Sequence, residues 1–147
     1  MALSIQKPHK KNNMKQILFT LITLLGLTIS NQAFGQTQLE MNQEEQSKDL
    51  KADKEINLVY NQILKEYKSD TEFIKNFKTA QRIWVQFRDA EMKSKYPDRE
   101  EGYYGSIHPM CWSIYLTELT VERTKKLKIW LKGIKEGDAC SGSIRTK

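Results

Sequence analysis

From Gln36 to Tyr96 the sequence contains neither glycine nor proline. So long a stretch without a breaker leaves no place for hairpin turns. That excludes a meander of short strands and reads as long helices with short polar joints. Histidine is scarce: only His9 and His108 occur, which excludes a histidine-based metal cluster. There is no phosphate-binding P-loop, no dinucleotide glycine pattern, no C-x-x-C pair and no G-x-S-x-G nucleophile turn, so the sequence offers no enzyme and no cofactor. Acidic residues are missing from one end: residues 1–35 hold Lys7, Lys10, Lys11 and Lys15 and no Asp or Glu. The formal charge of +6 therefore falls to +2 over the remaining 112 residues, where 20 basic side chains face 18 acidic ones. A body so nearly neutral lacks the basic face of a nucleic-acid binder. The chain has no internal repeat, and its 147 residues allow one domain.

What stands at the acid-free end reads as a secretory signal. Lys10, Lys11 and Lys15 form a positive region, and Ile17 to Ile29 is an uncharged run rich in Leu, Ile and Phe. Ala33-Phe34-Gly35 then supplies small residues for cleavage before Gln36. A run of 13 residues rises only about 20 Å as a helix, and a membrane span needs about 20 residues. The expectation is a cleaved leader over 1–35, no membrane insertion afterwards, and a secreted or periplasmic product, most simply in a bacterial envelope. The segment from Met14 already makes a complete signal, so Met1 and Met14 are alternative starts. No cysteine near the cleavage point offers a lipid anchor.

Three helices are expected in the mature chain, making an all-α bundle with its domain over 36–135 and a polar tail over 136–147. The first spans about Leu39 to Tyr67, with Ile56, Val59, Tyr60, Ile63, Leu64 and Tyr67 on one apolar stripe. Ser69, followed three residues later by Glu72, has the pattern of a capping box. The second helix spans about Thr71 to Lys95 on a stripe of Phe73, Phe77, Ala80, Trp84 and Phe87, and Pro97 stops it. A loop follows over 96–107. Pro109 suits the first turn of a third helix reaching about Ile134, with Ser106 or His108 near its cap. Trp112, Leu116, Leu119, Leu127, Trp130 and Ile134 share its apolar face, interrupted by Arg123, and Gly133 and Gly137 end it. Tyr60, Trp84 and Leu127 are the expected core.

Polar residues inside these stripes need partners if they are buried. Asp53 and Asn57 lie one turn apart, and Gln81 and Arg88 flank Trp84 along the second helix. The reading is an internal polar network in which Asp53 or Asp89 pairs with Arg123 or Arg88, the arginine fork gripping a carboxylate with two bonds. Its role is structural rather than catalytic. His108 and Cys111 are three residues apart, but no orienting third group accompanies them as a nucleophile and base would require. Cys111 and Cys140 form an even pair that in an oxidising compartment suggests one disulfide. Geometry pulls the other way. From Cys111 to Ile134 a helix rises about 35 Å, and the six residues on to Cys140 reach only about 20 Å. Free thiols and an intermolecular bond are the alternatives.

Three blocks carry a resemblance to a known family. Asp53-x-x-Ile56-Asn57-x-x-Tyr60 is similar to the D-x-x-L-N-x-x-Y signature of the LprI-like lysozyme-inhibitor domain. Ala80-Gln81-x-x-Trp84-x-x-x-Arg88-Asp89-Ala90 resembles that family's A-Q-x-x-W-x-x-x-R-D-A block, and Cys111 with Thr120, Arg123 and Leu127 resembles its closing C…T-x-x-R-x-x-x-L segment. The blocks come in family order and cover about Gln43 to Leu131. The resemblance implies a bacterial secreted or envelope helical domain that binds and inhibits lysozyme. In one respect the sequence departs from the pattern. Where the family often has a cysteine after R-D-A, Glu91 and Met92 stand here, so the usual partner of Cys111 is missing.

The loop is the segment that best suits an inhibitor. Tyr103 and Tyr104 are rigid and amphipathic and lie between Gly102 and Gly105, a composition shared with antibody paratopes. Asp98, Glu100 and Glu101 could steer the loop towards a basic enzyme. The expected partner is a lysozyme or, in the alternative, another envelope protein bound without inhibition. Exposed tyrosines beside an acidic patch favour the first; tyrosines folded back on the bundle favour the second.

Overall fold

A computed structural model describes the backbone over residues 11–146 and side chains over 37–146. Helix α1 runs Lys11–Glu66, α2 Thr71–Lys95 and α3 His108–Lys132. The backbone divides into two units, Met1–Leu39 and Glu40–Lys147, and the bundle is the second. The start of the first helix, expected near Leu39, lies inside α1, which continues back to Lys11. The expected leader and its cleavage point before Gln36 fall outside the residues whose side chains are described. Among the described residues no helix is long and apolar enough to cross a membrane, and the sole β-bridge joins Ile134 to Thr146.

The joint between α1 and α2 differs by one residue from the sequence reading. Asp70, not Ser69, caps α2: its carboxylate accepts the Phe73 backbone N–H at 2.9 Å. The cap therefore follows the ordinary Asx geometry, satisfying a donor that the first helical turn leaves orphaned. Glu72 remains in the first turn, where a negative charge suits the helix dipole. At its far end the Tyr96 N–H donates to the Met92 carbonyl at 2.9 Å, and Pro97 follows. The cap of α3 is Ile107, which makes no side-chain bond, with Pro109 in the first turn. Ser106 and His108, expected near the cap, flank Ile107 on either side. Gly133, in the left-handed region at φ 77°, ends α3 just short of Ile134.

The core draws on all three helices. Ile56, Val59 and Ile63 from α1, with Tyr67 just past its end, meet Phe77 of α2 and Leu127 of α3. Phe77 is the hub of a ring cluster, 5.4 Å from Tyr60, 5.2 Å from Phe73 and 6.0 Å from Trp130 between centroids. Of the three expected core residues, Leu127 is fully buried, while Tyr60 and Trp84 are only half-buried at the margin of this cluster. Phe87 and Ala80, on the expected stripe of α2, are exposed.

The buried face of α3 is also turned from the expected one. Ser113, Thr120, Thr124 and Leu127 face inwards, and Trp112, Leu116, Leu119 and Trp130 lie half-buried beside them. Thr124 can be buried because its hydroxyl donates to the Thr120 carbonyl one turn back, at 2.8 Å.

Past Gly133 the tail folds back on the end of the bundle. The Ile134 N–H donates to the Arg145 carbonyl at 3.0 Å, and the Trp130 indole donates to Ser143 at 3.2 Å. The Arg145 guanidinium lies 4.2 Å from the Tyr67 ring centroid and donates to the Glu66 carbonyl. The Tyr67 hydroxyl donates to the Trp130 carbonyl at 3.0 Å and accepts the Arg145 N–H at 3.3 Å. Arg145 therefore fastens the tail. Cys140 is exposed and Cys111 half-buried, both as free thiols. The disulfide suggested by the even count is not formed, because the tail docks at the end of α3 away from Cys111.

Candidate functional site

The loop between α2 and α3 is built on an aromatic cluster. Tyr96 ends α2, and His108 and Trp112 lie on the first turns of α3, so the two helix ends bring their rings together. Tyr96 stands 5.1 Å from His108 and 5.7 Å from Trp112 between centroids. Tyr104 folds back onto this base. It stacks on His108 at 4.6 Å, with its ring edge-to-face with Tyr96 at 5.7 Å, and its hydroxyl donates to the Pro97 carbonyl at 2.8 Å. Burial raises the Tyr96 phenol above its usual value, helped by the neighbouring Cys111, Glu118 and Tyr104. His108 Nε2 is buried without a hydrogen-bond partner, so His108 acts as a packed ring beneath the loop.

Tyr103 points the other way. It is 68% exposed and touches the cluster only through an edge-to-face contact with Tyr104 at 4.9 Å. Two tight turns hold it out. The Tyr103 N–H donates to the Glu100 carbonyl at 3.1 Å, and the Gly105 N–H to the Gly102 carbonyl at 2.9 Å. Gly102 and Gly105 have φ of 82° and 70°, a region that disfavours a Cβ. The tyrosine pair therefore splits into an outward ring and an inward support, a division that two identical neighbours in sequence do not announce. Asp98, Glu100 and Glu101 are exposed and, among the described residues, enter no ion pair. Together with Tyr96, Tyr103 and Trp112 they line an open pocket of about 350 Å³. Lys93 and Arg99 line the same pocket, and the Arg99 guanidinium lies 5.9 Å from the Tyr103 ring.

The polar residues of the helices form pairs rather than one buried network. Asn57 donates to the Asp53 carbonyl and carboxylate at 2.8 and 3.1 Å, and both residues are exposed on α1. Arg88 grips its neighbour Asp89 through Nε and Nη2 at 3.0 and 2.8 Å, with Asp89 open to solvent. Arg123 reaches across from α3 and donates to Gln81 at 3.1 Å. Both guanidiniums lie over the Trp84 ring, Arg88 at 5.4 Å and Arg123 at 5.9 Å, which is why Trp84 sits at the polar margin of the core. Burial lowers the Arg123 pKa from its usual value.

One member escaped the sequence reading. Asp49 is half-buried, and its carboxyl is raised above its ordinary value by burial first, then by the charge of Asp53, against a lowering by Arg88. Asp49, Asp53 and Asn57 recur every four residues, and that spacing was the available signal. Among the described residues no group of three or more His, Cys, Asp or Glu is placed to hold a metal ion.

The model of a family described as lysozyme inhibitor LprI matches residues 30–127, well over half of the chain. The matched segment contains α2, the loop and most of α3. No curated protein and no solved structure matches.

Proposed function

Because the chain belongs to the LprI family of lysozyme inhibitors, we propose that it is a secreted or periplasmic binding protein that blocks a lysozyme with its 96–107 loop. The family is one of inhibitors, not of enzymes. The leader-like 1–35 segment supports export, since lysozyme substrates lie outside the cytoplasm. The observation that carries the loop assignment is Tyr103, 68% exposed on a glycine-bounded turn. An exposed tyrosine held by a rigid base loses little entropy when it enters a cleft, and such aromatics supply most of an interface's energy. The unpaired carboxylates of Asp98, Glu100 and Glu101 surround it. Their role is to draw a basic enzyme towards the loop, although the remaining charge over 36–147 is slightly positive.

A non-inhibitory module that binds another envelope protein is the second reading. It draws support from Tyr104, which folds back as such a module would require of both tyrosines. The test is a cell-wall turbidity assay with the purified protein against several classes of lysozyme. Dose-dependent inhibition of at least one class is the expected result. Reversing Glu100 and Glu101 to Lys should slow association and flatten its dependence on salt. Failure to inhibit any class would favour the module that binds without inhibition.

A further inference from the structure

A second pocket lies on the face between α2 and α3, lined by no residue of the loop. Besides its contact with the Trp84 ring, Arg123 donates one hydrogen bond among the described residues, from Nε to Gln81. Among the described residues its two terminal nitrogens make no hydrogen bond and Arg123 enters no ion pair. That leaves the flat, two-pronged end of a half-buried guanidinium available, the end that fits a carboxylate with two parallel bonds. It opens on a pocket of about 140 Å³ whose other walls are Trp84, Phe87, Leu119, Glu122 and Lys126. Phe87 is 56% exposed there, a large ring with little over it.

We propose that this pocket binds the C-terminal carboxylate of a peptide whose last residue is apolar. Each wall restricts the ligand. Arg123 and Lys126 call for an anion. Glu122 lines the same pocket and repels a dianion such as phosphate, so a single negative charge is favoured. Trp84, Phe87 and Leu119 call for an apolar group beside that charge, and the volume is that of one side chain rather than a folded surface. A chain terminus joins a monoanion and an apolar side chain at one carbon, and can enter end-on where a carboxylate within a folded surface cannot. The site is separate from the inhibitory loop and does not depend on it.

The test is a nitrogen-15 NMR titration of the protein, following the Trp84 indole and Arg123 Nε–H signals. The probes are N-acetyl-alanyl-leucine, the same dipeptide as its C-terminal amide, and inorganic phosphate. The free acid should shift both signals to saturation, and the amide should bind about tenfold more weakly or worse, as loss of a charge-assisted bond implies. Arg123→Gln should erase the preference for acid over amide, while Phe87→Ala should weaken both. Equal binding of acid and amide, phosphate binding as tightly as the dipeptide, or Phe87→Ala binding as the parent does would each overturn the proposal. Should Arg123→Gln fail to fold, the acid–amide comparison and the exposed Phe87 variant still decide.

Discussion

Tyr103 and Tyr104 are chemically identical and adjacent, yet they do different work. Tyr104 is held by His108, Tyr96 and the Pro97 carbonyl, so Tyr104→Ala should loosen the loop and lower thermal stability. Tyr103→Ala should leave the melting temperature near that of the parent, because that ring packs little. Thermal unfolding of the two variants checks this division, and equal destabilisation would contradict it. Asp49 makes a second prediction. Its folded-state pKa is raised above the ordinary 3.8, so the folded state holds a proton more tightly than the unfolded one. Stability associated with this group is present at low pH and lost as pH rises through its folded value. Asp49→Asn should therefore melt higher than the parent at neutral pH, with the gain vanishing below the ordinary carboxylate range. A gain that persists unchanged at pH 3 would assign the effect to something other than the charge.

At the scale of elements, the cap of α2 and the fastening of the tail are the clearest tests. Asp70→Ala should cost about 1 kcal/mol, the usual value of a lost N-cap, while Ser69→Ala should cost almost nothing. Urea denaturation distinguishes them, and the reverse order would restore the Ser69 capping box. Arg145→Ala removes the cation over Tyr67 and the bonds to Glu66, and should cost about 1 kcal/mol because the site is partly exposed.

The elements show how far the sequence could be read. Three helices with Thr71–Lys95 as the second followed from missing breakers and from Pro97, because chain stiffness and a lost N–H act locally. The face of α3 did not follow. Hydrophobic periodicity pointed to Trp112 and Leu119, but the assembled bundle buries Ser113, Thr120 and Thr124 more fully and leaves those two half-buried. The polar network was legible as a set of residues and not as a set of partners. Arg88 takes the carboxylate next to it and Arg123 takes Gln81, since long side chains settle on whatever the tertiary packing brings near. The clasp by Arg145 left no periodic trace, being made by one residue of an otherwise small, polar tail.

For the molecule as a whole, the core around Phe77 and the proposed inhibitory loop lie towards opposite ends of α2. Phe77 is the shared ring of the core, so Phe77→Ala should cost about 3–5 kcal/mol, a large share of the stability of a fold this small. Trp84, half-buried between two guanidiniums, should cost less on the same truncation, and chemical denaturation of both variants tests that order. The loop lies beyond this core on its own aromatic base, so it can lose Tyr103 without unfolding the bundle. That independence makes inhibition itself the direct test. The inhibition constant of Tyr103→Ala should be measured in the turbidity assay against a lysozyme that the parent inhibits, with circular dichroism confirming the helices. The account predicts a loss of about 30-fold or more, corresponding to an anchor worth about 2 kcal/mol. A folded Tyr103→Ala protein that inhibits as well as the parent would contradict it and move the inhibitory surface off the loop.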